Sequence, residues 1–168
     1  ISSALAALSE NLGFSLYVID DRPEFANNLR FPNAISTIVS SYDSGLNHVP
    51  ISKNTFIVVA TRGHRFDDMA TEAAVRSPAG YVGLVGSQRK SLLIFEELFR
   101  KGIPDERIRA VRTPVGLNLG GRTPHEIAMS IMAEILMCHL GGDGKPMQMP
   151  ERLLTKAKTK ALGYVPRR

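Results

Sequence analysis

The chain has 168 residues, 43% of them hydrophobic and 22% charged, which is the composition of a globular protein with one good-sized core. No apolar run reaches the roughly 18 residues that span a membrane, and no secretion signal is visible, so we expect a cytoplasmic protein without a membrane partner. The single cysteine, Cys138, excludes an internal disulfide framework and fits a reducing compartment.

Helix and strand patterns alternate along most of the chain. Apolar residues at helical spacing predict a first helix from Ile1 to Asn11, which Gly13 ends. Short apolar runs predict four strands, each followed by polar or glycine residues. These runs cover residues 14–19, 35–40, 55–60 and 81–85. A further short strand is expected at residues 108–112.

Three more helices are expected after the second strand. They cover residues 67–75, 87–100 and 123–139. Thr123 and Glu126 have the spacing of a capping box, with proline between them at the first helical position, and this predicts where the last helix begins. Glu134 lies beside the apolar face of that helix. Because an unpaired buried charge is costly, we expect it to pair with Arg109 or Arg112.

The net charge of +5 is concentrated near the C-terminal end. Residues 145–168 carry seven basic residues and one acid, whereas the residues before them carry fourteen basic and fifteen acidic ones. A basic tail can bind nucleic acid, but this one has no interleaved aromatic side chains and no recognisable nucleic-acid-binding module. We therefore expect no nucleic-acid partner. We divide the chain into a domain at residues 1–141 and a basic appendage at residues 142–168.

Strands separated by helices predict an α/β fold with a doubly wound, mostly parallel, Rossmann-like sheet. In that fold the first strand lies in the middle of the sheet and carries a glycine-rich loop into the first helix. This sequence begins inside what looks like that helix, so residues 14–19 correspond to the second strand and the first strand is missing. Unpaired strand edges in a core are costly, so either an upstream segment supplies this strand or another segment fills its position, and we favour the first. The gap could also make the chain pair with itself as a homodimer.

Ligands of open α/β sheets bind beyond the carboxyl ends of the strands, so the residues that follow each strand are the candidates for a site. In the stretch YVGLVGSQRK, a buried strand ends in glycine and a basic helix start follows. Free backbone N–H groups and the helix dipole favour a phosphate there. The candidate phosphate ligands are Gly83, Gly86, Ser87, Arg89 and Lys90. The alternative is a tight strand-to-helix turn with a solvated basic first turn.

Other strand ends add five candidate cofactor ligands, which are Asp20, Arg22, Thr61, His64 and Gly116. Asp20 could hold a ribose diol, in which case its charge favours NAD over NADP. Alternatively it is a turn acid, with Asp21 or Asp20 pairing with Arg22. Thr61 and His64 follow the third of the apolar strands. His64 either contacts a ligand or is held in a loop, and one histidine with neighbouring aspartates is too few ligands for zinc. Gly116 lets the backbone approach either a ligand or a neighbouring strand. We predict no metal site and no catalytic residue.

Three stretches together carry a resemblance to a known family. They are Leu12 to Glu24 (LGFSLYVIDDRPE), Tyr81 to Lys90 (YVGLVGSQRK) and Thr113 to Ile135 (TPVGLNLGGRTPHEIAMSIMAEI). They resemble the C-terminal Rossmann domain of the xanthine dehydrogenase accessory family, XdhC/CoxI, over about residues 1–140. Thr61 to Asp67 (TRGHRFD) also looks like a segment of that family.

This resemblance implies an accessory protein in the maturation of molybdenum hydroxylases. Such proteins bind molybdenum cofactor (molybdopterin), help it gain its terminal sulfur from a cysteine desulfurase, and deliver it to the apoenzyme. The family's cysteine-containing N-terminal domain has no counterpart here, and Cys138 is a poor substitute because free cysteines are mostly buried. We therefore expect a cofactor-binding chaperone more than a catalyst. The alternatives are an NAD-dependent oxidoreductase with His64 as proton donor, or a non-catalytic partner-binding domain.

Overall fold

The computed structural model describes residues 1–163, apart from the side chain of His64. Its strands are β1 (Tyr17–Asp20), β2 (Ser36–Val39), β3 (Phe56–Val59) and β4 (Tyr81–Leu84). Its α-helices are α1 (Ser2–Asn11), α2 (Tyr42–Gly45), α3 (His64–Arg76), α4 (Gln88–Arg100), α5 (Asp105–Arg109), α6 (Pro124–Leu140) and α7 (Glu151–Leu162). A 3-10 turn, Leu46–His48, follows α2. No helix of this described part is both long and apolar enough to cross a membrane.

The strands form two parallel pairs. β1 pairs with β2, with Tyr17 opposite Ser36, and β3 pairs with β4, with Phe56 opposite Tyr81. Arg112 adds a single parallel bridge to Gly83 on the outer side of β4. The strand expected at residues 108–112 was therefore mostly wrong. The Asp105–Arg109 segment is helical, because its acids lie in the first turn and its arginines in the last, where they complement the helix dipole.

A gap separates the two pairs, and we call it the central groove: the space between the facing edges of β1 and β3. No hydrogen bond joins these strands within the described residues. They run in the same direction, because their amino ends meet at the Phe14 and Phe56 rings, 5.8 Å apart, and their carboxyl ends meet where Arg62 binds Asp21. The first strand of the Rossmann order was expected at this position.

Side chains of alternate strand residues pack into two separate cores. Ile57 and Val59 of β3 join a core built with α2, α3, α4 and α5. Phe56 and Val58 of the same strand join a second core built with α1 and α6 on the opposite face. Strands buried on both faces in this way are typical of parallel sheets covered by helices. The architecture is thus the expected α/β, Rossmann-like fold.

The ends of the helices follow local sequence signals. In α6 the Thr123 hydroxyl accepts from the Glu126 N–H at 3.3 Å, and the Glu126 carboxylate accepts from the Thr123 N–H at 2.9 Å, so the capping box is confirmed. α6 ends at Gly141, whose φ of 74° suits glycine. α3 begins three residues earlier than expected. None of the side chains of α7 is buried, and the division of the chain at residue 141 stays a prediction.

Candidate functional site

The central groove runs along β1 and β3 from the amino edge of the sheet, at Phe14, to the carboxyl edge, at Asp20 and Thr61. It forms a cavity of about 1020 Å³. Asp20, Arg22, Thr61 and Arg62 line its carboxyl end, whereas apolar side chains of α1 and α6 line its interior. In open α/β folds this position, beyond the strand ends at the switch between halves, is where ligands bind. The carboxyl edge is therefore the candidate site.

Asp20 is held by Arg22 in a two-point ion pair. Arg22 Nε lies 2.8 Å from Oδ1 and Nη2 lies 3.0 Å from Oδ2, and the Arg22 backbone N–H also donates to Oδ1 at 3.1 Å. Burial alone would raise the pKa of Asp20, but these bonds hold it below its ordinary value. The geometry is that of the turn acid paired with Arg22. Ribose binding by Asp20 stays a prediction, and it requires Arg22 to release the carboxylate.

A second acid joins the two halves of the sheet across the mouth of the groove. Asp21 Oδ2 accepts from Arg62 Nη2 at 2.6 Å, and its Oδ1 accepts from the Tyr42 hydroxyl at 3.3 Å. Burial, together with the negative charges of Asp20 and Asp21, raises the pKa of Tyr42 to about 12. Asp21 and Tyr42 were not among the candidates. The signal in the sequence was the pair of adjacent acids with an arginine directly after them.

Lys90 lies at the start of α4 and is tied to a buried acid of α3. Asp67 is fully buried, its Oδ1 accepts from the Thr61 hydroxyl at 2.7 Å, and its Oδ2 forms an ion pair with Lys90 Nζ. Thr61 and Lys90, both predicted ligands, are thus brought together by Asp67. Because Asp67 neutralises Lys90, the lysine is less available to an anion than its position suggests. The sequence placed Asp67 in an incomplete metal set and missed this role.

The first turn of α4 leaves backbone donors free. Ser87 caps the helix by accepting the Lys90 N–H at 3.3 Å, and the Val85 N–H donates to Val59 in the sheet. The backbone N–H groups of Gly86, Ser87, Gln88 and Arg89 donate to no acceptor within the described residues. Arg89 is exposed, and no acid in the described part of the chain pairs with it. Free N–H groups, a helix dipole and an unpaired guanidinium together favour an anion.

Close packing within the protein explains why residues 83 and 116 are glycines. A Cβ on Gly83, inside β4, would lie 2.5 Å from the Val115 side chain and 3.0 Å from the Tyr81 ring. Gly116 has φ of +105° and approaches α6 so closely that a Cβ would collide with Ser130. The interior of the protein therefore accounts for both glycines without a ligand, and ligand contacts by them stay predictions.

Glu134 is satisfied by neutral donors. Its Oε2 accepts from the Tyr81 hydroxyl at 2.8 Å and from the Gly116 N–H at 3.0 Å. The expected arginine partner was wrong, because Arg109 pairs with Asp105 on its own helix and Glu134 forms no ion pair with Arg112 within the described residues. Burial, then the hydrogen bond to Glu134, raises the pKa of Tyr81. This network fixes α6 on the sheet beneath the loop that carries Gly116.

His64 begins α3 beyond the end of β3, and its side chain lies outside the described residues. Cys138 is half-buried in the core of α1 and α6. Its neighbour His139 lies 6.0 Å from Phe14 and 5.5 Å from Phe56, at the amino ends of β1 and β3. The thiol is therefore near the edge of the sheet opposite the candidate site. The described residues contain no cluster of three or more side chains able to hold a metal.

Comparison with known proteins agrees with the resemblance read from the sequence. The family model described as the XdhC Rossmann domain matches residues 1–135. The chain is 32% identical over 151 residues to "Uncharacterized protein YqeB" of Escherichia coli strain K12, covering 89% of this chain and 28% of that protein. It is 31% identical over 132 residues to a protein of Bacillus subtilis strain 168 that is named as a probable subunit of xanthine dehydrogenase, covering 79% and 38% of the two chains.

A solved structure shares the fold. The crystal structure of a xanthine dehydrogenase from Bacillus halodurans superposes with a TM-score of 0.72 at 25% identity, over 83% of this chain and 41% of that one. The chain thus spans well under half the length of each of these relatives. Matched by the family model across most of its length, the chain belongs to the XdhC family as a Rossmann domain.

Proposed function

We propose that this domain belongs to an accessory protein of molybdenum hydroxylase maturation, and that it binds the phosphate of molybdenum cofactor or of a nucleotide. The observation that supports this most is the set of unpartnered N–H groups at Gly86 to Arg89. Family membership, together with a relative named as a probable subunit of xanthine dehydrogenase, favours the molybdenum hydroxylase as the partner.

The donor set suits a phosphate better than a ribose. A phosphate offers several acceptor oxygens, and the N-terminal turn of α4 offers several donors that meet no acceptor in the described part of the chain. The ribose candidate, Asp20, is instead engaged by Arg22 at both oxygens. We therefore place the phosphate at α4 and assign no direct contact to Asp20.

The residues do not fit a metal-bound or sulfur-transferring group. The one thiol, Cys138, lies at the amino edge of the sheet, away from α4, and the described residues offer no metal cluster. We therefore propose that this domain holds the cofactor by its phosphate for delivery to the apoenzyme. Exchange of sulfur with a cysteine desulfurase would need groups that this domain does not place at the site.

Isothermal titration of the chain with NAD, a cytidine nucleotide and molybdopterin tests the proposal. We expect binding of at least one of them, weakened about tenfold by Arg89→Ala, because a charge-assisted hydrogen bond contributes roughly 1.5–3 kcal/mol. Arg100→Ala is the matched control, since Arg100 lies at the other end of α4 and pairs with Glu97.

Two outcomes would contradict the proposal. Absence of heat with all three ligands would leave a domain that binds only a partner protein. Equal losses in the Arg89 and Arg100 variants would show that the contact is general charge attraction instead of a site. A steady absorbance change at 340 nm with NADH and an aldehyde or ketone would instead support the oxidoreductase.

A further inference from the structure

The positive charges at the start of α4 are not equally available to a ligand. Lys90 Nζ forms an ion pair with Asp67 Oδ2, and the lysine side chain is 19% exposed whereas Asp67 is fully buried. The Thr61 hydroxyl donates to the other oxygen of Asp67 at 2.7 Å. A carboxylate buried without a countercharge is costly, so Asp67 holds Lys90 in this pair. Within the described residues, Arg89 is then the cation of this turn that meets no acid.

Lys90 nevertheless lies close enough to the free N–H groups to reach a ligand if it were released. A Cβ on Gly86 would lie 3.2 Å from Lys90 Cδ, so the stem of the lysine passes beside Gly86 on its way to Asp67. The Ser87 hydroxyl accepts from the Lys90 N–H at 3.3 Å, which keeps the lysine backbone in the same turn. Because the lysine stem is flexible, Asp67 decides whether this turn offers a ligand one full positive charge or two.

The number of available charges selects between two classes of phosphate. The attraction between a site and an anion grows in proportion to the charge of the anion, whereas the cost of removing that anion from water grows with the square of its charge. One arginine and the partial charge of a helix N-terminus therefore suit a singly charged phosphate better than a doubly charged one. A phosphate linked on both sides carries one charge. A terminal phosphate monoester carries close to two at neutral pH, since its second pKa is about 6.

We propose that Asp67 sets the ligand class of the α4 site: by neutralising Lys90 it selects a phosphate linked on both sides over a terminal phosphate monoester. This inference rests on the proposed function, because it needs an anion at the N–H groups of Gly86 to Arg89. It narrows that function from any phosphate to one chemical class. Asp67 acts through Lys90, so it is a positioning residue that determines specificity.

The test uses two ligands that differ by one methyl group. Isothermal titration at pH 8 compares cytidine 5′-monophosphate, whose phosphate carries two charges, with its methyl ester, whose phosphate carries one. We expect the chain to bind the ester roughly fivefold more tightly than the monophosphate. In Asp67→Asn the ammonium of Lys90 is released and adds a second charge to the site. We expect this variant to bind the monophosphate at least as tightly as the ester.

Two further variants separate this effect from a general change of charge. Asp105→Asn is the matched control, because it removes the same charge from an exposed pair with Arg109 on α5, and it should keep the preference for the ester. Lys90→Met combined with Asp67→Asn removes both charges of the buried pair. The ligand then meets the same net charge, so we expect the preference to stay within about twofold of that of the unmodified chain. This double variant takes the place of Asp67→Asn if the single variant does not fold.

The outcomes distinguish this inference from the proposed function. Equal or tighter binding of the monophosphate by the unmodified chain would overturn the inference and leave the phosphate site in place. An unchanged preference in folded Asp67→Asn, an equal change in Asp105→Asn, or loss of the preference in the double variant would also overturn it. If neither ligand binds, the inference is wrong, whereas the proposed function is still decided by the titrations with NAD and molybdopterin.

Discussion

Two ion pairs lie at the same edge of the sheet, and they differ in burial. Asp20 and Arg22 follow β1 with side chains about one fifth and one quarter exposed, whereas Asp67, beyond β3, is fully buried and Lys90 covers it. Each pair neutralises a cation that the sequence offers as a ligand. The first pair remains within reach of solvent, so a ligand can compete for it, whereas the second is part of the core.

The comparison also separates two kinds of donor. Arg22, Arg62 and Lys90 are all engaged by aspartates, while the N–H groups of the α4 turn and the side chain of Arg89 meet no such partner in the part of the chain that the structure describes. A basic residue near a strand end is thus weak evidence for an anion site. Donors that meet no acceptor within the described residues are stronger evidence, since satisfying them is part of what a ligand would do.

Removal of the buried acid should have the largest effect. We expect Asp67→Asn to lower the free energy of unfolding by about 3 kcal/mol, because it leaves a largely buried ammonium without its countercharge. Asp20→Asn should cost about 1 kcal/mol or less, as for other solvent-accessible pairs. Urea unfolding of both variants measures the difference, and similar losses would contradict the distinction.

A double variant sharpens the same point. Lys90→Met alone leaves a buried carboxylate unpaired, whereas Lys90→Met combined with Asp67→Asn removes both charges. We expect the double variant to lose about 2 kcal/mol less than the sum of the two single losses. Additive losses in a urea double-mutant cycle would show that the two side chains do not interact in solution.

The more accessible pair, Asp20 with Arg22, should instead change how the free energy of unfolding depends on pH. The pKa of Asp20 is below its ordinary value of 3.8 in the folded chain. Its contribution is therefore complete above about pH 5 and is lost as the pH falls through 3.8 toward the folded value. Asp20→Asn should flatten the stability curve between pH 5 and pH 3 by less than about 1 kcal/mol, since solvent screens this pair. If Asp20→Asn left the stability curve unchanged, the prediction that Arg22 lowers the pKa of Asp20 would be wrong.

The smallest effect is expected at the C-terminal end. Removal of residues 143–168 should change the free energy of unfolding by no more than about 0.5 kcal/mol, because α7 buries no side chain. The described part of that segment contrasts with α6, whose Ile131 and Ile135 are buried. A loss of several kcal/mol in thermal or urea unfolding would show that the segment belongs to the folded domain.

Local rules predicted much of the fold. Apolar runs and glycine stops located the four strands of the described residues and the helices α1, α4 and α6, and the capping box located the start of α6. The strand expected at residues 108–112 was mostly wrong, because Arg112 alone bridges to Gly83. The residues before it form a helix, in which acids in the first turn and arginines in the last complement the helix dipole. Short apolar runs are ambiguous between helix and strand when read without their neighbours.

The candidate site could be located but not described from the sequence. Strand ends identified the carboxyl edge, since the order of strands and helices follows from periodicity alone. The sequence could not show which charges neutralise each other there. Lys90 pairs with Asp67, 23 residues earlier in the chain, and Arg62 pairs with Asp21, 41 residues earlier. The same holds for Glu134, which finds Tyr81 and Gly116 in place of arginine.

The amino-acid sequence by itself determined the parallel α/β class, the family and the glycine turn before α4, because these depend on residues close together along the chain. Only the tertiary structure decided which polar groups are satisfied and which remain free. Partner choice depends on distances between segments far apart in the chain, and those distances exist only once the helices have packed on both faces of the sheet.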